Sequence, residues 1–439
     1  MPKFYDFQRD ILTGSAKQNR VAYYLDMGLG KTFVGAEKAV RLGKPVLCVC
    51  QKSKVDDWVE HFEMNYPACW AYNLTNKKQF SEFIELAEDT SDCTVGVINY
   101  DILYRRPELT QLSNFTLLLD ESSLIQNENS KRAKFILNKL QPENIILLSG
   151  TPTNGKYENL WSQLHLLGWN ISKELYWKQY IDVEYIDNGQ GFPIKVVKGY
   201  KNVERLKRKM RDYGCRFLKT EEVFDLPEQI FNNVMIETPK LYDKFIRTGI
   251  VTVGEEELVG DTVLIKSLYA RMLCGAYSEA KLQALKDLLQ STEKRVVIFY
   301  NFNNELRKIE DLCIELDKPF SIVNGQTKDR KCFDEFENGV IAVQYQAGAM
   351  GLNLQKSNMM IFYTLPYGKG SCGLWEQAKK RIHRIGQNNT CFYYTLLCKD
   401  TIEVTNLAAL CEGKELTDEL FREVGRFNER FENYRRTTY

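Results

Sequence analysis

Histidine is scarce in this chain. There are three among 439 residues, His61, His165 and His383, far apart and without ligand-type neighbours. A histidine-based metal centre is therefore not expected. The twelve cysteines contain no Cys-x-x-Cys pair, which removes a common zinc spacing. Cys48 and Cys50 alternate inside an apolar run and read as buried strand residues, so reduced structural thiols in a cytoplasmic protein are expected. No apolar run reaches the roughly 18 residues of a membrane helix, and no signal-peptide pattern opens the chain. No membrane partner is expected. An excess of one charge is missing too. The 59 Lys+Arg against 58 Asp+Glu leave +1, which excludes a globally basic coat for nucleic acid but leaves room for local basic stripes. Neither a short-period repeat nor a low-complexity linker is visible.

What is present is a regular alternation. Apolar strand candidates occur at Val21–Leu25, Val46–Cys50, Thr94–Ile98, Leu117–Leu119 and Ile145–Leu148, with helical stretches between. A second set follows at Val296–Tyr300, Phe320–Val323, Val340–Val343, Met359–Phe362 and Phe392–Leu396. Such alternation predicts parallel α/β sheets. Two lobes are expected, 1–225 and 226–439, with helical insertions over about 154–220 and 237–280. In the tail, Leu416, Leu420, Val424, Phe427 and Phe431 recur at helical spacing. They predict an amphipathic helix over 413–435, docked on the second lobe or offered to a partner. Lys201 to Lys219 carries eight basic and two acidic residues. Phosphate contact, bracing of the second lobe and a solvated helix face all remain open for it.

The chemistry begins at Asp26-Met-Gly28-Leu-Gly30-Lys31-Thr32. A strand precedes it and a helix, Phe33 to Arg41, follows. Strand, glycine loop, Lys-Thr and helix form the context of a phosphate-binding loop. Glycines let backbone N–H groups close on phosphates, and the helix N-terminus adds positive potential. Lys31 would reach the β- and γ-phosphates of ATP, and Thr32 would bind Mg²⁺. The strict pattern has a further glycine five residues before Gly30, where this chain has Leu25. Leu117-Leu-Leu-Asp120-Glu121 delivers two carboxylates at the end of a second strand. Asp120 would hold Mg²⁺ through water, and Glu121 would deprotonate the attacking water. Near the C-terminus, Gln377-Ala-Lys-Lys-Arg381-Ile-His-Arg384-Ile-Gly-Gln387 places two arginines three apart, on one face if the run is helical. Guanidinium groups stabilise charge on a transferring phosphoryl group. Arg384 is read as the finger and Arg381 as the γ-phosphate partner, both facing Lys31 from the other lobe.

In order and spacing these motifs resemble the Snf-type, chromatin-remodeller-like ATPases of helicase superfamily two, in a compact phage or bacterial form. The resemblance runs from Phe4 to about Glu403. It implies two RecA-like parallel-sheet lobes in tandem, a P-loop NTPase fold, with ATP and Mg²⁺ as cofactors. Phe4-Tyr5-Asp-Phe-Gln8 looks like the adenine-reading entry, with Gln8 on the base. Val46 to Ser53 with Trp58 resembles motif Ia, and Val97-Ile-Asn99-Tyr100-Asp101 resembles motif Ib. Ser149-Gly150-Thr151-Pro152-Thr153-Asn154 matches motif III, which couples ATP state to DNA contact. Arg216 to Lys219 and Asp225-Leu-Pro227 look like the joining segment. Lys281-Leu-Gln-Ala-Leu resembles the helix before the second lobe, and Val296–Tyr300 resembles motif IV. Gly351-Leu-Asn353-Leu354 resembles motif V, and Gln377 to Gln387 matches motif VI. By this resemblance Lys52, Ser53, Asn99, Tyr100, Thr151 and Asn353 contact nucleic acid, while Gly351 and Gln377 join Gly28 and Gly30 at the nucleotide.

Two stretches depart from the pattern. After the acidic pair stand Ser122 and Ser123, where relatives more often have Ala-His. Before motif V, Gln344-Tyr345-Gln346 replace a Ser-Thr pair and a basic residue, which removes one phosphate-binding charge. The expected activity is DNA-stimulated ATP hydrolysis that drives translocation, unwinding or annealing. The expected protein is a bare, monomeric motor working on double-stranded or forked DNA, with replication or recombination proteins as possible partners. The alternatives are a nucleotide-switched clamp that does not move, and an RNA helicase.

Overall fold

The computed structural model describes residues 2–87, 93–187, 193–348, 352–368 and 370–425. The chain divides into two compact units, one formed by the residues up to Val223 and the other by Phe224–Lys414.

The first unit is built on seven strands. They are β1 (Arg20–Leu25), β2 (Val46–Cys50), β3 (Cys69–Asn73), β4 (Cys93–Asn99), β5 (Thr116–Asp120), β6 (Asn144–Leu148) and, after a hairpin of β7 (Ile181–Asp187) and β8 (Pro193–Tyr200), β9 (Cys215–Leu218). Their order is β3-β4-β2-β5-β6-β1-β9, and every pairing is parallel. β2 and β6 are buried at every position. Helices on both faces leave no wet side, which is why these strands read as unbroken apolar runs.

The second unit contains β10 (Gln229–Ile236), a small hairpin of β11 (Ile250–Val253) and β12 (Glu256–Val259), and then β13 (Val296–Tyr300), β14 (Phe320–Val323), β15 (Val340–Gln344), β16 (Met359–Phe362) and β17 (Cys391–Cys398). Its sheet runs β10-β17-β16-β13-β15-β14, again all parallel. Two tandem parallel α/β lobes are therefore what the strand alternation predicts. In such sheets, ligands bind beyond the C-terminal ends of the strands.

Four expectations are corrected. The insertions are not purely helical, because 154–220 contains the antiparallel β7–β8 hairpin and 237–280 contains β11–β12. The second hairpin turns through Gly254 at φ +62°, between the β-branched run Ile250-Val-Thr-Val253 and Glu256-Glu-Leu-Val259. A left-handed glycine between such runs is a hairpin signal. The final helix starts at Ile402 rather than 413. Glu415–Gly425 of that helix group with the first unit rather than the second. Residues 426–435, including Phe427 and Phe431, lie outside the described residues. Lastly, Cys69 and Cys93 face each other on neighbouring strands and are joined as a disulfide, so the cysteines are not all reduced.

Candidate functional site

The glycine loop links the end of β1 to the helix Lys31–Arg41. Gly28 and Gly30 take φ +87° and +72°, values that L side chains rarely adopt. A Cβ at Gly30 would also lie 2.4 Å from Gln8 Nε2. Gln8 is buried, donates to Leu29 O at 3.0 Å and accepts from Tyr5 N at 3.0 Å. It therefore braces the loop from the side. Thr220, just past β9, ties down the other flank through Asp26 Oδ2 (3.2 Å) and Met27 O (3.3 Å). Lys31 begins the helix and donates from Nζ to Leu25 O (2.9 Å) and Asp26 O (3.2 Å). A Cβ at Gly150 would sit 3.3 Å from that ammonium, so Lys31 lies against the loop that follows β6.

Asp120 ends β5, which pairs with β6, the strand beside β1. Its Oδ2 accepts from Trp58 Nε1 at 2.9 Å. Burial holds the carboxyl above the ordinary carboxylate range, opposed by the Trp58 hydrogen bond and by the charges of Lys31 and Lys54. Glu121 is held in the left-handed region, φ 54° and ψ 58°. Strain of this kind in a non-glycine residue persists only where its surroundings enforce it, and it gathers at functional sites. Ser149 Oγ lies 3.4 Å from Glu121 Oε2, so the two motifs touch. Lys31, Asp120, Glu121 and Gly150 thus occupy one corner at the C-terminal ends of β1, β5 and β6.

Of the six residues expected at nucleic acid, Lys52 and Asn353 are exposed and Ser53 is half-buried. Tyr100 is a correction. It belongs to the hydrophobic core, and its hydroxyl donates to Asp120 O at 2.9 Å, so it props the acidic strand rather than facing a polymer. Asn99 and Thr151 are buried as well, at 3% and 7% exposure. The sequence signal fails here because a polar residue at a strand end reads alike whether it faces solvent or supports a neighbour.

The arginine run is also corrected. The helix Ser371–Lys379 stops before Arg381, so the two arginines do not share a helical face. Arg381 O accepts from Leu354 N at 3.1 Å instead of from a following turn of helix. Gln387 Nε2 lies within hydrogen-bond distance of Gln355 O (3.1 Å), Ser357 O (2.9 Å) and Ile382 O (3.3 Å), folding the run back on itself. Arg381 is buried at 1% exposure; Arg384 is half-buried and lies 3.5 Å from Leu352 O. Gln377 is half-buried on the helix. Gly351 lies outside the described residues.

Among the described residues, one group of three could ligate a metal: Cys274, Cys398 and Glu403, all buried. A cation already occupies that place. Lys281 Nζ contacts both Glu403 oxygens, at 2.6 and 2.7 Å. Burial alone would lower the Lys281 ammonium; Glu403, together with Cys398 and Cys274, reverses this, and its pKa lies above the usual lysine value.

Sequence reading overlooked Gln163 and the bond from Trp58 to Asp120. Gln163 has a visible signal. It is an amide inside the apolar stretch Leu160 to Leu167, and a buried amide must find partners.

Comparison with known proteins places this geometry in context. The family described as the SNF2-related domain matches residues 23–293, and the Helicase conserved C-terminal domain matches 280–386. The SWI/SNF-related matrix-associated actin-dependent regulator of chromatin subfamily A-like protein 1 of Xenopus laevis is 25% identical over 90% of this chain and 42% of its own length. The human DNA annealing helicase and endonuclease ZRANB3 is 24% identical over 94% of this chain and 40% of its own. The chain thus spans about two fifths of the length of these curated relatives. Among solved structures, a Sulfolobus solfataricus SWI2/SNF2 ATPase core in complex with double-stranded DNA is similar, with TM-score 0.44 and 18% identity, covering 97% of this chain and 94% of that one. The two all-parallel sheets, rather than that loose overall likeness, establish the fold.

Proposed function

We propose that this chain, which belongs to the SNF2-related family, is an ATP-driven motor on DNA. The observation that carries the proposal is the corner where Lys31, Asp120 and Glu121 meet at the ends of β1 and β5. Lys31 is placed to exchange the carbonyls of Leu25 and Asp26 for phosphate oxygens. Glu121, turned out of β5 by its left-handed backbone, takes the proton of the attacking water. Arg384, which is half-buried, is read as an arginine that stabilises charge on the transferring phosphoryl group. Such an arginine is worth roughly 10³–10⁵ in rate.

The Thr32 hydroxyl and the Asp120 carboxylate are hard oxygen donors and fit Mg²⁺. Bound there, the ion would offset phosphate charge. Similarity to a relative named for DNA annealing favours DNA as the polymer. Lys52 and Asn353, both exposed, are the side chains offered to its backbone.

The test is ATP turnover with single-stranded, double-stranded and forked DNA and with RNA, beside triplex displacement and fork unwinding. Turnover stimulated by DNA and abolished in Lys31→Ala is expected. Full turnover without any nucleic acid would refute the motor.

A further inference from the structure

Gln163 sits in the helix Trp161–Leu166, has no solvent exposure and joins three separate segments. Its Oε1 accepts from Ser122 Oγ at 2.8 Å and from Tyr24 Oη at 3.0 Å. Its Nε2 donates to Pro152 O at 2.8 Å and lies 3.5 Å from Asn159 O. The orientation of the amide follows from its partners. Carbonyls of Pro152 and Asn159 can only accept, so the NH₂ end must face them, and both hydroxyls must then donate to the oxygen. Burial pushes the Tyr24 hydroxyl well above its ordinary range, which keeps its proton in place. Ser122 follows Glu121 directly, and Pro152 lies in the Ser149–Asn154 segment. A single buried amide therefore spans from the residue beside the strained carboxylate to the segment whose Ser149 touches that carboxylate.

We infer that Gln163 is a positioning residue that couples the Asp120-Glu121 turn to the Ser149–Asn154 segment, so that nucleic acid acting on that segment resets Glu121. The inference rests on the motor reading above. Ser122 directly follows Glu121 and supplies the hydroxyl for this bond; the Ser122–Gln163 bond is therefore a route between the two motifs. Displacement of Pro152 pulls the amide, the amide draws Ser122, and Ser122 fixes where the Glu121 backbone turns. The route runs through Ser122, Gln163 and Pro152 rather than through the glycine loop, although Gly150 of the same segment lies against Lys31. It governs how fast bound ATP reacts, not how tightly ATP is held.

The experiment measures kcat and KM for ATP, with and without double-stranded DNA, in wild type, Lys31→Ala, Gln163→Leu and Gln163→Glu. Gln163→Leu keeps the bulk and removes both arms. It should lower the DNA-stimulated kcat about tenfold while KM for ATP moves less than about twofold, the signature of an interaction that acts on turnover. A purely structural glutamine would lower the melting temperature and leave the ratio of stimulated to unstimulated kcat as in wild type; that result overturns the inference.

Should Gln163→Leu not fold, Gln163→Glu decides. A protonated carboxyl donates to Pro152 O as the amide does, and an ionised one cannot. Burial raises such a carboxyl, so DNA stimulation in this variant should rise as pH falls, with no matching rise in wild type. Parallel pH profiles overturn the inference. Wild type that hydrolyses no more ATP than Lys31→Ala overturns the motor reading itself, and a stimulated wild type with an equally stimulated Gln163→Leu overturns only the role of Gln163.

Discussion

Glu305 gives the second unit a pH-dependent stability that can be measured. Its side chain is fully buried beneath the sheet ends. Oε2 accepts from Asn301 N (2.9 Å), Phe302 N (3.1 Å) and Thr364 Oγ1 (2.9 Å), while Oε1 is buried without a hydrogen-bond partner among the described residues. Burial pushes the carboxyl from 4.5 up to about 7, against the downward pull of those three donors and of Lys281. A proton can settle on Oε1 without breaking any bond at Oε2.

The sign follows from which state holds the proton. Between pH 4.5 and about 7 the folded chain keeps a proton that the unfolded chain has lost. The contribution is therefore complete at the acid end and disappears as pH rises through about 7. A rise from 4.5 to about 7 corresponds to about 3 kcal/mol in all. Roughly 2.5 kcal/mol of it is lost between about pH 5 and pH 8. Glu305→Gln is the reference, because the amide copies the protonated carboxyl and does not titrate. Amide hydrogen exchange in β13 and β15 reports the stability of the second unit. Wild type should lose about 2.5 kcal/mol relative to Glu305→Gln across that pH range. Stability curves that run parallel in the two proteins would refute the argument, since every other titrating group is common to both.

Lys281→Met leaves Glu403 buried without its cation and should cost about 3–5 kcal/mol in urea unfolding, whereas Lys281→Met with Glu403→Leu should recover most of it. The remainder belongs to Cys398 N, which donates to Glu403 Oε2 at 2.9 Å and would lose its acceptor. Gly275→Ala places a Cβ 1.9 Å from Glu305 Oε1 and 2.8 Å from Thr364 Cγ2, so a loss of about 3 kcal/mol is expected from thermal melts of the second unit. Glu121→Gln should lower ATP turnover by at least about 10²-fold with the melting temperature unchanged within a few degrees; persistent turnover would assign the base elsewhere.

Much of the fold was legible because its strands are buried on both faces. Val46–Cys50 and Val296–Tyr300 are unbroken apolar runs, and the structure returns both with the boundaries read from sequence. β3 and β9 were not legible. Cys69-Trp-Ala-Tyr-Asn73 lies at a sheet edge with Trp70 exposed, and Cys215–Leu218 is only four residues long. At the site, the loop from Asp26 to Thr32 and the Asp120-Glu121 pair are contiguous in sequence and could be read directly. Contacts such as Trp58 to Asp120, 62 residues apart, and Ser122 to Gln163, 41 apart, depend on strand order and could not. The arginine run shows the opposite failure. Its spacing suits a helix, but the carbonyl of Arg381 is taken by Leu354, a partner that spacing does not reveal.

The entry strand of the second unit has a mechanical consequence. β10 lies at the sheet edge and pairs in parallel with β17 over eight rungs, from Gln229↔Cys391 to Ile236↔Cys398. Tension applied through residues 224–228 runs along the strand, so the rungs are loaded together in shear instead of being unzipped one by one. Part of that load has a second path. Pro227 O lies 2.8 Å from His383 Nε2, between the two arginines in sequence. A pull on the linker is thereby felt at the arginine turn before it strains the sheet, which makes this short segment a tendon attached at two points.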